Sequence, residues 1–252
     1  MKRLLPLYAI AVYAFLHLPI LTLGVFSFNA SRFTVWEGFS WHWYAAALAD
    51  SQLVEAAWNS LVIAIAATLI STVIGTLCAY ALWKKGSPAL AGSLYLSLVT
   101  PEIVMGIALL AFFQWMFRFV GIQLGMHTVI AAHVAFSIAY VVLVVLARLR
   151  TMDAALEEAA LDLGATEWQA FRRVTLPLIL PGVAAAAMLA FTVSFDDYVI
   201  TSLVAGVDSE TLPMMIYAMA RRGANPVVNS ISTLIVAVLA VMILVSERMR
   251  EA

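Results

Sequence analysis

Charge is scarce in this sequence. Charged residues make up 12% of its 252 positions and apolar ones 64%, against about 25% and 45–50% in soluble domains. A chain so poor in polar side chains cannot cover itself for water, which places it in a bilayer. It has one cysteine, Cys78, inside an apolar run, so an intramolecular disulfide is excluded and the residue reads as small and buried. The net charge is −1 and no basic run occurs, which removes nucleic acid as a partner. The phosphate-cradling pattern G-x-x-x-x-G-K-[ST] is missing, so the chain does not hold ATP in that way. Strand-like alternation is missing as well, and no internal repeat of about 20–50 residues is visible.

What is present is six long apolar segments, roughly 4–26, 57–82, 90–117, 127–147, 179–203 and 229–246, each near the ~20 residues that cross a bilayer as a helix. Unsatisfied backbone groups in lipid exclude anything but helices and closed barrels, and the segments far exceed barrel strands of about 9–11 residues. The expected class is therefore an all-α integral membrane protein with six transmembrane helices, one domain over residues 1–252. The run after Met1-Lys2-Arg3 is longer than a signal-peptide core of about 7–15 residues and lacks an A-x-A cleavage site, so it reads as an uncleaved first span. Glycine and alanine at Gly75, Ala79, Gly106 and Ala184–Ala187 suit close helix packing in lipid.

Orientation follows from the cations. With the N-terminus inside, the cytoplasmic side carries Lys2, Arg3, Lys84, Lys85, Arg148, Arg150, Arg172, Arg173, Arg248 and Arg250, ten of the 14 Lys and Arg. The outer side carries Arg32, Arg118, Arg221 and Arg222. The bias puts both termini and the polar segment at about 150–178 in the cytoplasm. The outer loop 27–56 holds Trp36, Trp41, His42, Trp43 and Tyr44, which reads as an interfacial belt or as a docking surface for an extracytoplasmic partner.

The cytoplasmic segment is built like two short helices meeting at an elbow. Asp153 can cap the first helix, and Glu157, Glu158 and Asp162 keep it polar. Gly164 provides a stop where left-handed backbone costs little. Thr166-x-x-Gln169 is a capping box for a second helix bearing Trp168 and Phe171, and Pro177 and Pro181 predict an irregular entry into the next span.

Glu158-Ala159-Ala160, Gly164, Leu176 and Pro177, with Val174 in an isoleucine position, resemble the EAA loop of ABC-importer permeases of type I, written E-A-A-x-x-x-G and then I-x-L-P. The resemblance extends over roughly residues 57–246. It implies that Glu157, Glu158, Ala159, Ala160, Gly164, Trp168, Leu176 and Pro177 belong to a coupling helix gripped by an ATP-binding subunit. No cofactor then belongs to this chain, since ATP and Mg would sit on the ATPase dimer. The further partners implied are a second homologous permease, an extracytoplasmic substrate-binding protein and membrane lipid. The place implied is a bacterial inner membrane, crossed several times, with catalysis absent from this subunit.

Ionisable groups inside a span cost about 2.5–3.5 kcal/mol for Asp on insertion scales, so they point to function. Glu102, Asp196 and Asp197 occupy such places. At about 1.5 Å per residue, Glu102 is expected roughly 18 Å into the third span and Asp196 roughly 20–26 Å into the fifth. No Lys or Arg shares that depth, and a cationic solute would neutralise them. His133, near the outer half of the fourth span, either lines the same path or bonds a neighbouring backbone or serine. For the acids the structural alternative is that they bond helix ends, Ser194 or a partner permease.

Thr100-Pro101-Glu102-Ile103-Val104-Met105-Gly106, Ser194-Phe195-Asp196-Asp197, Leu212-Pro213-Met214-Met215-Ile216-Tyr217 and Asn225-Pro226-Val227-Val228-Asn229 are similar to the second permease subunit of spermidine/putrescine importers. That likeness implies a polyamine path through Glu102, Asp196, Asp197 and His133. Permeases for aminoethylphosphonate or iron are alternatives. A secondary transporter would require inverted repeats and broken spans and leaves the polar loop unexplained. An intramembrane enzyme would have to use adjacent carboxylates on one helix, which face different ways.

Overall fold

A computed structural model describes residues 4–33, 35–223 and 225–251. In chain order the helices are α1 (Leu4–Phe26), α2 (His42–Ala49), α3 (Ser51–Lys85), α4 (Pro88–Val99), α5 (Glu102–Phe117), α6 (Met126–Arg150), α7 (Ala155–Asp162), α8 (Glu167–Ala170), a π-helical turn at Phe171–Thr175, α9 (Leu176–Asp196), α10 (Val199–Val204), α11 (Leu212–Arg221) and α12 (Pro226–Glu251). Among the described residues the only extended pairing is an isolated bridge between Asn29 and Phe39. The all-helical expectation holds.

The described residues hold four helices long and apolar enough to cross a membrane, or five if a bent pair counts as one span. The expected third span is not continuous. It breaks at Thr100-Pro101, and α4 and α5 meet there at 110°. Thr100 and Pro101 are both extended, with ψ of 127° and 135°. A proline disfavours α geometry in the residue before it, and it offers no N–H to continue the helix. The expected fifth span also stops early, at Asp197 (ψ 126°), and resumes as the six-residue α10. For the expected sixth span, the described apolar part of α12 is Pro226–Val238. The side chains of residues 242–251, and with them Arg248 and Arg250, lie outside the described residues, as do Lys2 and Arg3.

The chain divides into two compact units, residues 1–55 with 215–252, and residues 56–214. In the first, α12 packs against α1 and α2. Its loop is organised by Asn29, whose amide donates to the Val35 carbonyl at 2.8 Å while its Oδ1 accepts from Glu37 N at 3.0 Å. Of the expected aromatic residues, Trp41 and Tyr44 pack with Phe28 and Phe39, while Trp36 meets Phe26 at 6.3 Å and His42 packs on Trp43 at 4.9 Å. Phe28, Phe39, Trp41 and Tyr44 have ring centroids 4.8–5.6 Å apart in successive pairs.

In the second unit α6 and α9 form the main helix pair. Lipid removes the hydrophobic drive between helices, so close approach must come from small residues. A Cβ on Gly75 would stand 2.6 Å from Val141 Cγ1, and one on Gly106 would stand 2.6 Å from Leu203 Cδ1. Ala79, Ala186 and Ala190 are fully buried with Val141, Val145, Leu149 and Ile179. Cys78 is half-buried at the edge of that cluster. A second cluster gathers Ile63, Phe113, Val129, Ala132, Phe136, Ile200 and Val204, which fixes the short α10 against its neighbours.

Candidate functional site

The polar loop folds as its sequence dictates. Asp153 Oδ1 accepts from Ala155 N at 3.0 Å just ahead of α7, whose N-cap, Ala154, makes no side-chain cap bond. Gly164, at φ +88°, ends it. The bonds from Ala165 N to Ala160 O (3.0 Å) and from Gly164 N to Leu161 O (2.9 Å) make the paired closure of a left-handed helix stop. The capping box is present: Gln169 N donates to Thr166 Oγ1 at 3.3 Å and Thr166 N donates to Gln169 Oε1 at 3.0 Å. The irregular entry lies just ahead of the prolines. Pro177 falls in the first turn of α9 and Pro181 inside it, so each leaves a carbonyl four residues back without its usual α-helical partner. The turn before them is π-helical.

Two faces emerge. Glu158, Ala159, Leu163, Gly164, Trp168 and Pro177 are exposed, with Leu163 at 89% and Trp168 at 61% of their full areas, while Ala160 and Leu176 are half-buried. Glu157 is on the other face and has no exposed surface. Its carboxylate accepts from Tyr80 Oη at 2.6 Å and from Thr175 Oγ1 at 2.6 Å, and Lys84 Nζ lies 2.7 Å away. Burial alone would raise this carboxyl. The hydrogen bonds from Lys84, Thr175 and Tyr80, with the lysine charge, outweigh burial and hold it below the usual carboxylate range.

The two helix breaks build a second feature. A cavity of about 590 Å³ is lined by Thr100, Glu102, Tyr140, Asp196, Asp197 and Tyr198, among others. Glu102 is not mid-helix, as its position in an apolar run suggested, but in the first turn of α5 just after the bend. Anionic side chains are favoured there by the helix dipole. Glu102 and Asp196 are exposed to the cavity. Asp197 is largely engaged: it accepts from Thr201 N and Thr201 Oγ1, both at 2.7 Å, and so caps α10. His133 Nε2 stands 3.4 Å from the Asp197 carboxylate and 2.9 Å from Thr201 Oγ1, while its Nδ1 shares a hydrogen bond of 2.7 Å with Ser194 Oγ. His133 is buried behind the cavity rather than lining it. Ser194 is 3% exposed and His133 1%, so the serine and histidine are buried, and Asp197 joins them to the cavity wall.

The family profile described as "Binding-protein-dependent transport system inner membrane component" matches residues 71–252. The chain belongs to that family. This permease is 40% identical over 241 residues to the spermidine/putrescine transport system permease protein PotC of Escherichia coli (strain K12), with 94% of this chain and 90% of that protein covered. It is 40% identical over 230 residues to the putrescine transport system permease protein PotI of the same strain, covering 88% and 82%. In structure it is similar to a chain of a bacterial ABC transporter that imports the acidic polysaccharide alginate, with a TM-score of 0.76 and 19% identity over 98% of this chain and 96% of that one. A chain of the MetNI methionine ABC transporter gives a TM-score of 0.64 at 21% identity over 78% and 94%. These likenesses place the permease in the ABC-importer permease fold.

Sequence reasoning missed Tyr80, Lys84 and Thr175 as partners of the loop. The one available signal was the spacing of Tyr80 and Lys84, which puts both on one face at the end of α3. Tyr140 both packs against the second cluster and lines the cavity.

Proposed function

We propose that this permease is one of two membrane subunits of an ATP-driven importer of polyamines such as putrescine or spermidine. It takes the solute from an extracytoplasmic binding protein and draws energy from an ATPase dimer that carries the ATP and Mg. The whole chain works as one permease domain in an inner membrane, with both termini and the loop at about 150–178 in the cytoplasm, and α12 completes a sixth span. The cation bias supports that orientation. The exposed loop face of Glu158, Leu163, Gly164 and Trp168 suits a socket on the ATPase.

The observation that carries the substrate class is the pair of carboxylates, Glu102 and Asp196, lining one cavity at the two helix breaks, in a chain 40% identical to permeases of polyamine systems. A polyamine carries spaced ammonium groups. At an effective dielectric near 20, each carboxylate–ammonium pair at 4 Å is worth up to about 4 kcal/mol before dehydration is subtracted. ATP-driven closure of the ATPase dimer moves the gripped loops and exchanges inward- and outward-open states, each with its own affinity for the cation.

Reconstitution of the complete complex in liposomes, with labelled solutes outside and ATP at the ATPase face, tests this. Spermidine or putrescine should accumulate only with hydrolysable ATP and binding protein, and a neutral or anionic solute should not. ATP-dependent accumulation of an anion in place of the polyamine would overturn the substrate class.

A further inference from the structure

The buried Glu157 joins three separate segments of the 56–214 unit. It belongs to α7, its two hydroxyl partners Tyr80 and Thr175 belong to α3 and to the π-helical turn, and Lys84 lies in the last turn of α3. Around it the aromatic rings are layered. Tyr80 and Phe171 have centroids 4.6 Å apart, and Phe171 and Trp168 5.4 Å. Trp168 thus connects the exposed face of the loop to the buried joint. Elsewhere α7 packs mainly on α8 and the π-helical turn, which are parts of the same loop.

A carboxylate held by three donors at 2.6–2.7 Å is a stiff and directional joint. Charge-assisted bonds are shorter and about twice as strong as neutral ones. The two from α3, Tyr80 and Lys84, must break together for the loop to slide on α3, while Thr175 fixes the carboxylate within the loop. A loop that only decorated the membrane surface would have no need to bury an acid.

We propose that Tyr80, Lys84 and Thr175 are positioning residues that clamp the loop to α3 through Glu157, so that displacement of the loop by the ATPase becomes displacement of that span. The proposal rests on the transporter reading above and adds the route by which force enters this chain. The residues that meet the ATPase are then those of the outer loop face, and the clamp is what makes their movement count.

The test compares the complete reconstituted complex carrying Tyr80→Phe, Thr175→Val or both with the parent complex and with Lys84→Arg. ATP hydrolysis and polyamine uptake are measured on the same liposomes. The double variant should keep its ATPase rate, because the outer face is intact, while ATP consumed per molecule imported rises at least roughly tenfold, since two hydrogen bonds to a charged group are lost and one alone is of that scale. Lys84→Arg, which keeps the charge and donors, should keep the parent ratio. Parallel loss of hydrolysis and uptake at an unchanged ratio would show a merely structural contact and overturn the clamp.

A second readout does not depend on assembly or substrate. In a Cys78→Ala background, spin labels at Asp162→Cys and Lys85→Cys should give a narrow distance distribution that broadens when Tyr80→Phe and Thr175→Val are added. An equally narrow distribution in that variant would also overturn the clamp. If the parent complex imports no polyamine, the transporter reading fails by itself, and the spin-label distances still decide the clamp.

Discussion

At the scale of single residues, the local caps were legible in the sequence and the buried acid was not. Asp153, Gly164 and the Thr166–Gln169 box form the bonds their spacing dictates, because a cap depends on neighbours within a turn. Glu157 depends on Tyr80, 77 positions away, and no local pattern separates it from the exposed Glu158. Its lowered pKa fixes a prediction. A carboxyl whose folded value lies below its unfolded one contributes stability that is complete above the unfolded value and is lost as pH falls through the folded value. Glu157→Gln removes the charge, leaves Lys84 unpaired and turns an amide nitrogen or oxygen toward donors that need an acceptor. The cost should be about 2 kcal/mol near neutral pH, less than the ~3–5 kcal/mol of a fully buried broken pair, because Lys84 reaches solvent. Thermal denaturation against pH should show the parent losing this advantage only on acidification below the usual carboxylate range. The variant should lie below the parent at neutral pH and lack that component of the acid loss.

At the scale of elements, long apolar runs gave the positions of the helices and hid their breaks. Proline at 101 was visible, but the run around it was long enough for one span, and only the packed structure shows the 110° bend. The stop at Asp197 carries no proline or glycine. It forms because the carboxylate can cap α10 and meet His133, a pairing set by tertiary contact. Gly206 is a further case with no sequence signal. A Cβ there would overlap the backbone carbonyl of Leu124, and backbone cannot step aside. Gly206→Ala should therefore destabilise the 56–214 unit by about 1–3 kcal/mol, the range for overpacking. Gly24→Ala, where a Cβ meets nothing within 4 Å, should be neutral or slightly stabilising, as alanine favours a helix over glycine by about 0.8–1.0 kcal/mol. Melting temperatures of the two purified variants separate these outcomes, and equal melting would contradict the close approach at Gly206.

At the scale of the whole molecule, composition alone was enough to place the chain in a bilayer, and the polar loop was enough to suggest who drives it. The cavity was only half legible. Glu102 and Asp196 stood out as acids in apolar runs, yet their meeting in one cavity depends on two helix breaks that bring the start of α5 and the end of α9 together. His133, a candidate for the same path, turns out to brace that junction from behind. In the proposed transport path it is the charge of the exposed Glu102 and Asp196 carboxylates, and not merely their hydrogen bonding, that draws a cation through the permease. This is tested most directly by ATP-dependent spermidine uptake in complexes carrying Asp196→Asn, with Asp196→Leu and Glu102→Gln beside it, each normalised to the amount of assembled complex. Asparagine keeps the shape, one acceptor oxygen and the polarity and loses the charge, so uptake should fall about tenfold, the consequence of losing ~1.4 kcal/mol of net pairing, while assembly stays at the parent level. Parent-level uptake by both Asp196→Asn and Glu102→Gln, with loss confined to Asp196→Leu, would contradict it and leave these acids a structural role.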